Sequence, residues 1–80
     1  MILNMYAIKD ELNGFTPPIP FMSEELAKRY LKDQVISNPT VGNTPKDFSM
    51  WHVGLYDSET AEFTQTTNRL VERAENYANS

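Results

Sequence analysis

The sequence contains no cysteine, one histidine and three glycines, and these shortages exclude several kinds of site. Without cysteine the chain can form neither a disulfide framework nor a thiolate metal site, and it suits a reducing compartment such as the cytosol. A zinc site needs several nitrogen or sulfur ligands, and His52 is the sole candidate of that type. The glycines are too widely spaced to form a phosphate-binding loop. We therefore expect neither a bound metal nor a cofactor.

Long apolar runs and positive charge are also scarce. No hydrophobic stretch approaches the roughly 20 residues that a membrane-spanning helix needs. Residues 1–12 lack the basic start and the small-residue cleavage site of a signal peptide. The 80 residues carry 7 basic and 11 acidic side chains, a formal net charge of −4. Such a chain repels nucleic acid at long range, so direct binding to DNA requires a local basic patch. We expect no interaction with a membrane.

The remaining composition is that of one small globular domain over residues 1–80. Hydrophobic residues make up 40% and charged residues 22% of the chain, which is not the balance of a disordered protein. A domain of this length buries only a modest core. We therefore expect it to gain further burial by self-association, most simply as a symmetric homodimer.

The stretch 48–57, FSMWHVGLYD, predicts the strand around which the fold is organised. Period-two alternation puts Trp51 and Val53 on one face and His52 and Tyr56 on the other. The DSET sequence that follows is typical of a turn, because Asp and Ser side chains bond to nearby backbone groups. A second strand is therefore expected over residues 61–66, as the other arm of a hairpin.

A third strand and two helices complete the prediction. Residues 2–10 are apolar on both faces, which indicates a strand that is central or covered on both sides. The proline-rich segment 15–21 favours an extended conformation at a sheet edge. Residues 23–37 combine the capping residue Ser23 with an apolar stripe at helical spacing. The sequence TQTTN, residues 64–68, begins a stretch whose later apolar residues recur at helical spacing and predict a C-terminal helix.

The predicted fold class is therefore α+β. It comprises a small, mostly antiparallel three-stranded sheet with a helix packed on one face, together with the C-terminal helix. Two layers of this kind enclose a single core.

No arrangement in the sequence is typical of a catalytic centre. A catalytic His52 would need an oriented partner within reach, and its mid-strand position favours a packed or surface role. Asp57, Glu59 and Glu62 lack the spacing and the glycine of a calcium-binding loop. We expect no enzymatic activity.

Lys28, Arg29 and Lys32 form the densest cluster of positive charge, on the helix predicted over residues 23–37. Clusters of this kind contact phosphates, and an exposed Trp51 or tyrosine on a sheet can stack on bases. The pattern by itself favours the alternative, because an exposed charged helix face is the ordinary case. The basic side chains then form the solvated face of an amphipathic helix, while the aromatic residues fill the core.

Five segments together resemble a known family: YAIKD, PPIPF, AKRY, NP and PKDFSMWHVGLYDSETAEF. In this order they are similar to the small nonstructural protein of gokushovirus-type microviruses, which are bacteriophages with single-stranded circular DNA genomes. The resemblance runs from Tyr6 to about Phe63. Members are usually described as nonstructural or DNA-binding proteins. The resemblance implies a protein of the host bacterial cytoplasm that binds single-stranded DNA and assists genome synthesis or its switch to packaging.

A second hypothesis belongs to a different class of function. The acidic surface and the small core favour a protein-interaction module, a homodimer that acts on viral replication or capsid-assembly proteins. Salt-dependent binding to a single-stranded oligonucleotide distinguishes the two hypotheses.

Overall fold

A computed structural model describes residues 1–78 as a curled antiparallel sheet of five strands with one long helix on one face. The strands are β1 (Ile2–Asp10), β2 (Gly14–Phe15), β3 (Ile19–Phe21), β4 (Phe48–Asp57) and β5 (Glu62–Arg73). The helices are α1 (Glu24–Ser37) and α2 (Pro39–Asn43), and 3₁₀ turns cover Pro45–Asp47 and Ala74–Tyr77. No helix among these residues is long and apolar enough to cross a membrane.

The first strand lies at the centre of the sheet, as its apolar sequence predicts. The order is β2–β1–β4–β5, and β3 pairs with the same edge of β1 as β2 does. Antiparallel pairing with β4 covers the other edge along the whole of β1. The three expected strands are all present, and the two additional short strands come from the segment that was expected to lie extended at an edge.

The proline-rich segment between β2 and β3 replaces lost backbone hydrogen bonds with a side chain. Pro17 and Pro18 have no N–H group to donate to β1. Just before them, the Thr16 N–H donates to the Ile8 carbonyl at 2.9 Å. The Ile8 N–H donates in turn to the Thr16 hydroxyl oxygen at 3.0 Å. These two bonds satisfy the backbone carbonyl and N–H groups of Ile8 at the edge of β1, where the chain changes direction.

Helix α1 begins at the predicted cap and packs through most of its predicted apolar stripe, although Leu26 of that stripe is exposed. The Ser23 hydroxyl oxygen accepts the Leu26 N–H at 3.3 Å, which satisfies one of the free donors of the first turn. Ala27 and Leu31 are fully buried against the sheet. The other buried members of this core are Tyr6, Ile8, Val41, Phe48, Met50 and Ala74. The core therefore identifies the Tyr6 face of β1 as the one that meets the helix.

The regular alternation of β4 is interrupted at Val53. This residue has no partner on β1, and the register of the two strands shifts there. As a result, Tyr56 lies on the same face as Trp51, where both pack against one apolar cluster. The expectation that they occupy opposite faces is wrong, because a bulge adds one residue to a strand and reverses its alternation.

The face of the sheet that is turned away from α1 has a smaller core of its own. Its members are Leu3, Met5, Ala7, Trp51, Val53 and Tyr56, of which Met5, Ala7 and Val53 are buried. No helix of the described chain covers this face, which we call the open face.

The predicted C-terminal helix is wrong: β5 continues to Arg73, and only a 3₁₀ turn follows. Leu70 lies opposite Trp51 on the open face, whereas Val71 packs into the core under α1. Adjacent apolar residues of a strand point to opposite faces of the sheet. In the sequence, such residues match part of the spacing expected of an amphipathic helix. Pairing with β4 decides the structure here, since long-range packing overrides local propensity.

Replacement of Gly54 by alanine should destabilise the protein. A Cβ atom at Gly54 would lie 2.6 Å from the Phe63 ring and 2.7 Å from the Thr64 carbonyl oxygen. Because the backbone oxygen cannot retreat without moving β5, we expect a loss of about 3 kcal/mol, at the upper end for overpacking. Urea unfolding followed by tryptophan fluorescence measures it. Gly14→Ala is the control, since Gly14 has a φ of 87° but open space around it, and should cost only about 1 kcal/mol. Equal losses at the two glycines would contradict the steric explanation.

Candidate nucleic-acid interface

The three basic residues identified in the sequence lie together on the outer side of α1. Lys28 is half-buried, whereas Arg29 and Lys32 are exposed. All three line one open groove of roughly 550 Å³. The rest of its lining consists of Glu25, Asp33, Ile36 and Tyr77. We call this surface the α1 groove.

The cations of the α1 groove are not engaged in ion pairs within the described residues. There, Arg69 is held at 2.7 Å by Glu24, and Lys9 lies 3.8 Å from Glu11. The remaining two ion pairs join the N-terminal ammonium group to acidic side chains of the β4–β5 turn. The positive charge of the groove is therefore free to meet an anion, without first breaking a bridge.

Acidic residues limit where an anion can enter the α1 groove. Glu25 and Asp33 line the same surface as the three cations. An approaching phosphate is attracted by Lys28, Arg29 and Lys32 and repelled by these two carboxylates, so its position is restricted to the part of the groove nearest the cations. Binding there should be local and strongly weakened by salt.

Tyr77 adds an aromatic ring to the α1 groove, and the sequence did not indicate it. Burial raises the pKa of the Tyr77 phenol, and the charges of Glu72 and Glu25 raise it further. The phenol is therefore neutral at physiological pH and adds no negative charge to the groove. Its place depends on the 3₁₀ turn after β5, which no local sequence signal distinguishes from the helix that was expected.

The aromatic residues divide between the core and the open face. On the helix side of the sheet, Tyr6 meets Phe21 edge-on with ring centroids 5.9 Å apart, and Tyr30 meets it at a tilt with centroids 5.4 Å apart. Trp51 is half-buried on the open face, where its ring meets Phe15 edge-on at 6.2 Å. Some rings thus fill the core, and others remain accessible on the open face.

The environment of Trp51 is polar on one side. Its Nε1–H donates to the Ser49 hydroxyl oxygen at 2.8 Å, which fixes the indole on the open face. The Lys9 ammonium lies 5.8 Å from the centroids of both the Trp51 and the Phe15 rings. At this distance a cation is attracted to the faces of aromatic rings.

His52 is occupied by structural hydrogen bonds. Its Nε2 lies 3.0 Å from the Asn4 side-chain oxygen, and its Nδ1 lies 3.4 Å from the Thr66 hydroxyl. With Nε2–H donating to Asn4, Nδ1 accepts from Thr66, so the neutral ring uses both nitrogens. Burial lowers the pKa of His52, the Arg69 charge lowers it further, and Glu24 partly opposes this. Within residues 1–78 no group of three or more metal-binding side chains comes together.

Comparison with known proteins identifies a family. A family model described as "Phage ORF5 protein" matches residues 3–77. No curated protein and no solved structure matches the chain.

The stability of the protein should fall when the pH is lowered from 7.5 to 5.5. The folded state lowers the pKa of His52, so the unfolded chain takes up a proton more readily near the ordinary pKa of about 6.5, and protonation favours unfolding. Urea unfolding across this range measures the slope. His52→Gln, which cannot be protonated, should flatten it. A slope that survives in this variant would assign the effect to another group.

Proposed function

The chain belongs to the Phage ORF5 protein family, and we propose that it is a nonstructural phage protein that binds single-stranded DNA. The α1 groove is the proposed contact with the phosphates, through Lys28, Arg29 and Lys32. The role is one of binding and not of catalysis.

The observation that carries this proposal is the cluster of cations in one open groove, none of them in an ion pair within the described residues. Lys28 and Lys32 are four residues apart, so they lie about 6 Å apart along the helix axis. This spacing is short enough for consecutive phosphates of a flexible single strand. Such contacts do not depend on base identity, so the proposed binding is non-specific.

The proposed biological setting follows from the sequence resemblance. We propose that the phage is of the gokushovirus type and that the protein acts in the cytoplasm of the host bacterium. There it assists the synthesis of the single-stranded genome or its switch to packaging. The net charge of −4 opposes binding to DNA at long range, so the proposed binding depends on the local cations of the α1 groove.

A second candidate function is a homodimeric interaction module that acts on replication or capsid-assembly proteins. The observation in its favour is the number of large hydrophobic side chains that are well exposed on so small a domain. Those at least 40% exposed include Ile2, Leu12, Phe15, Met22, Leu26, Ile36 and Phe63. Contact with a second chain would bury these side chains and add to the modest core of so small a domain.

Self-association is tested by sedimentation. We expect the mass of two chains at micromolar concentration and a shift toward one chain on dilution, because burial of these side chains supplies the driving force. Ile36→Ser and Leu12→Ser each remove one exposed apolar side chain from a different part of the surface. The variant that weakens the dimer identifies the surface that forms it. A mass of one chain at every concentration would exclude the dimer.

Reversal of charge in the α1 groove should abolish binding to single-stranded DNA. Lys28→Glu combined with Lys32→Glu removes two phosphate contacts and adds repulsion, so binding to an oligothymidylate at low salt should be lost. Other single-stranded sequences should lose binding equally, because phosphate contacts do not depend on the bases. The melting temperature should change little, because neither side chain belongs to the core and replacements of surface charges usually alter stability by no more than about 0.5 kcal/mol. Fluorescence anisotropy measures the affinity and its dependence on salt.

The chain offers a matched control at Lys46, which is exposed and lies outside the α1 groove. Lys32→Glu and Lys46→Glu alter the net charge equally. If the groove binds the phosphates, Lys32→Glu should weaken binding much more and reduce the salt slope by about one unit. Equal effects would show that net charge alone matters. If the parent protein does not bind at low salt, the proposed function is wrong.

A further inference from the structure

The open face of the sheet contains a slot that is separate from the α1 groove. Its volume is roughly 240 Å³. Ala7 and Val53, both buried, form its floor on β1 and β4. Phe15 and Phe63 line it from β2 and β5, the strands at opposite ends of the sheet order. Pockets for drug-sized ligands begin at about 300 Å³, so the slot suits a single ring system.

The two phenylalanines present accessible aromatic surface on either side of this slot. Phe15 and Phe63 are each 44% exposed. The Phe63 ring lies close over Gly54, where any Cβ atom would collide with it. The Trp51 ring meets the Phe15 ring edge-on. Accessible aromatic rings of this kind favour stacking with another planar ring.

Polar groups at the rim of the slot match the edge of a nucleobase. Gln65 and Asn68 line it with carboxamide groups, each of which carries both donors and an acceptor. The structure shows no hydrogen bond from either side chain to the described residues. Thr16, the other polar lining residue, already uses its hydroxyl oxygen to accept from Ile8. The two amides are therefore available to a ligand that both donates and accepts, as bases do.

Two cations lie on the same face beside the slot. Ser49 pairs with Lys9 on β1 and with Arg73 on β5, so these three side chains form one row across the open face. Lys9 also lies over the Phe15 and Trp51 rings. Its ion pair with Glu11 is long and exposed at 3.8 Å, so it holds the ammonium weakly. This row provides positive charge for the backbone of a strand whose base enters the slot.

We propose that the slot holds one unstacked base of single-stranded DNA, between Phe15 and Phe63. This inference rests on the proposed function and adds to it a site for bases, distinct from the site for phosphates. The two surfaces lie on opposite sides of the sheet. The short segment from Arg73 to Tyr77 connects them at one edge, so a bound strand passes around the end of β5. A second copy of the chain fits the face less well, because it would bury two unbonded amides and the Lys9 charge.

Trp51 fluorescence provides the test, since it is the sole tryptophan of the chain and contacts a wall of the slot. We compare an oligothymidylate with an abasic oligonucleotide of the same length at low salt. The oligothymidylate should quench Trp51 and bind at least about fivefold more tightly, as expected for one stacked base. The abasic strand has the same phosphates but no base to enter the slot, so it should bind through the cations alone, without quenching.

Replacement of the walls assigns the effect to the slot. Phe63→Leu keeps an apolar side chain but removes the ring, and it should reduce the preference for the oligothymidylate to nearly none. Phe63→Tyr keeps the ring and should retain the preference. Phe15→Leu examines the opposite wall and should act like Phe63→Leu. Circular dichroism establishes that each variant is folded.

The outcomes separate this inference from the proposed function. If both leucine variants bind the oligothymidylate like the parent, or if the abasic strand binds and quenches equally, the slot does not hold a base, although the α1 groove still binds phosphate. Quenching that follows protein concentration instead of DNA concentration would place a second copy on the open face and overturn the inference. If neither oligonucleotide binds at low salt, both proposals are wrong.

Discussion

The extra residue in β4 at Val53 is the constraint on which the two-sided architecture depends. Before this bulge, Met50 faces α1 and Trp51 faces away from it. Beyond it the alternation is reversed, so that Tyr56 joins Trp51 on the open face. With regular alternation, Tyr56 would project on the helix side, and the open face would lose part of its apolar cover. A bulge also increases local twist, in keeping with the curled shape of this sheet.

The strand next to β4 compensates for the bulge and shapes the candidate sites. Between the pairs Gly54–Gln65 and His52–Arg69, β4 contains only Val53, whereas β5 contains residues 66–68. The surplus segment 66–68 departs from regular pairing. Within it, Thr66 reaches the ring of His52 and Asn68 reaches the slot on the other face. One irregularity thus supports a structural histidine on one side of the sheet and provides a polar group on the other.

The parts of this structure that local chemistry decides were predictable from the sequence. The cap at Ser23 and the extended proline segment each depend on a few neighbouring residues. Helical spacing likewise explains why Lys28, Arg29 and Lys32 share one surface. The bulge at Val53 and the continuation of β5 to Arg73 were not predictable, because pairing with distant strands produces them. For the same reason Tyr77 and the slot were missed, since their parts come from strands and turns far apart in the chain.

β1 and its partner β4 lie far apart in the sequence, and this separation affects the order in which the chain folds. β4 and β5 are joined by a short turn, whereas about forty residues lie between β1 and β4. Closing the longer loop costs more conformational entropy, so the β4–β5 hairpin should form first. β1 gains little from joining it alone, because Tyr6 and Ile8 become buried only when Ala27 and Leu31 of α1 lie above them. We therefore expect β1 and α1 to dock on the hairpin in one cooperative step, which limits the rate of folding.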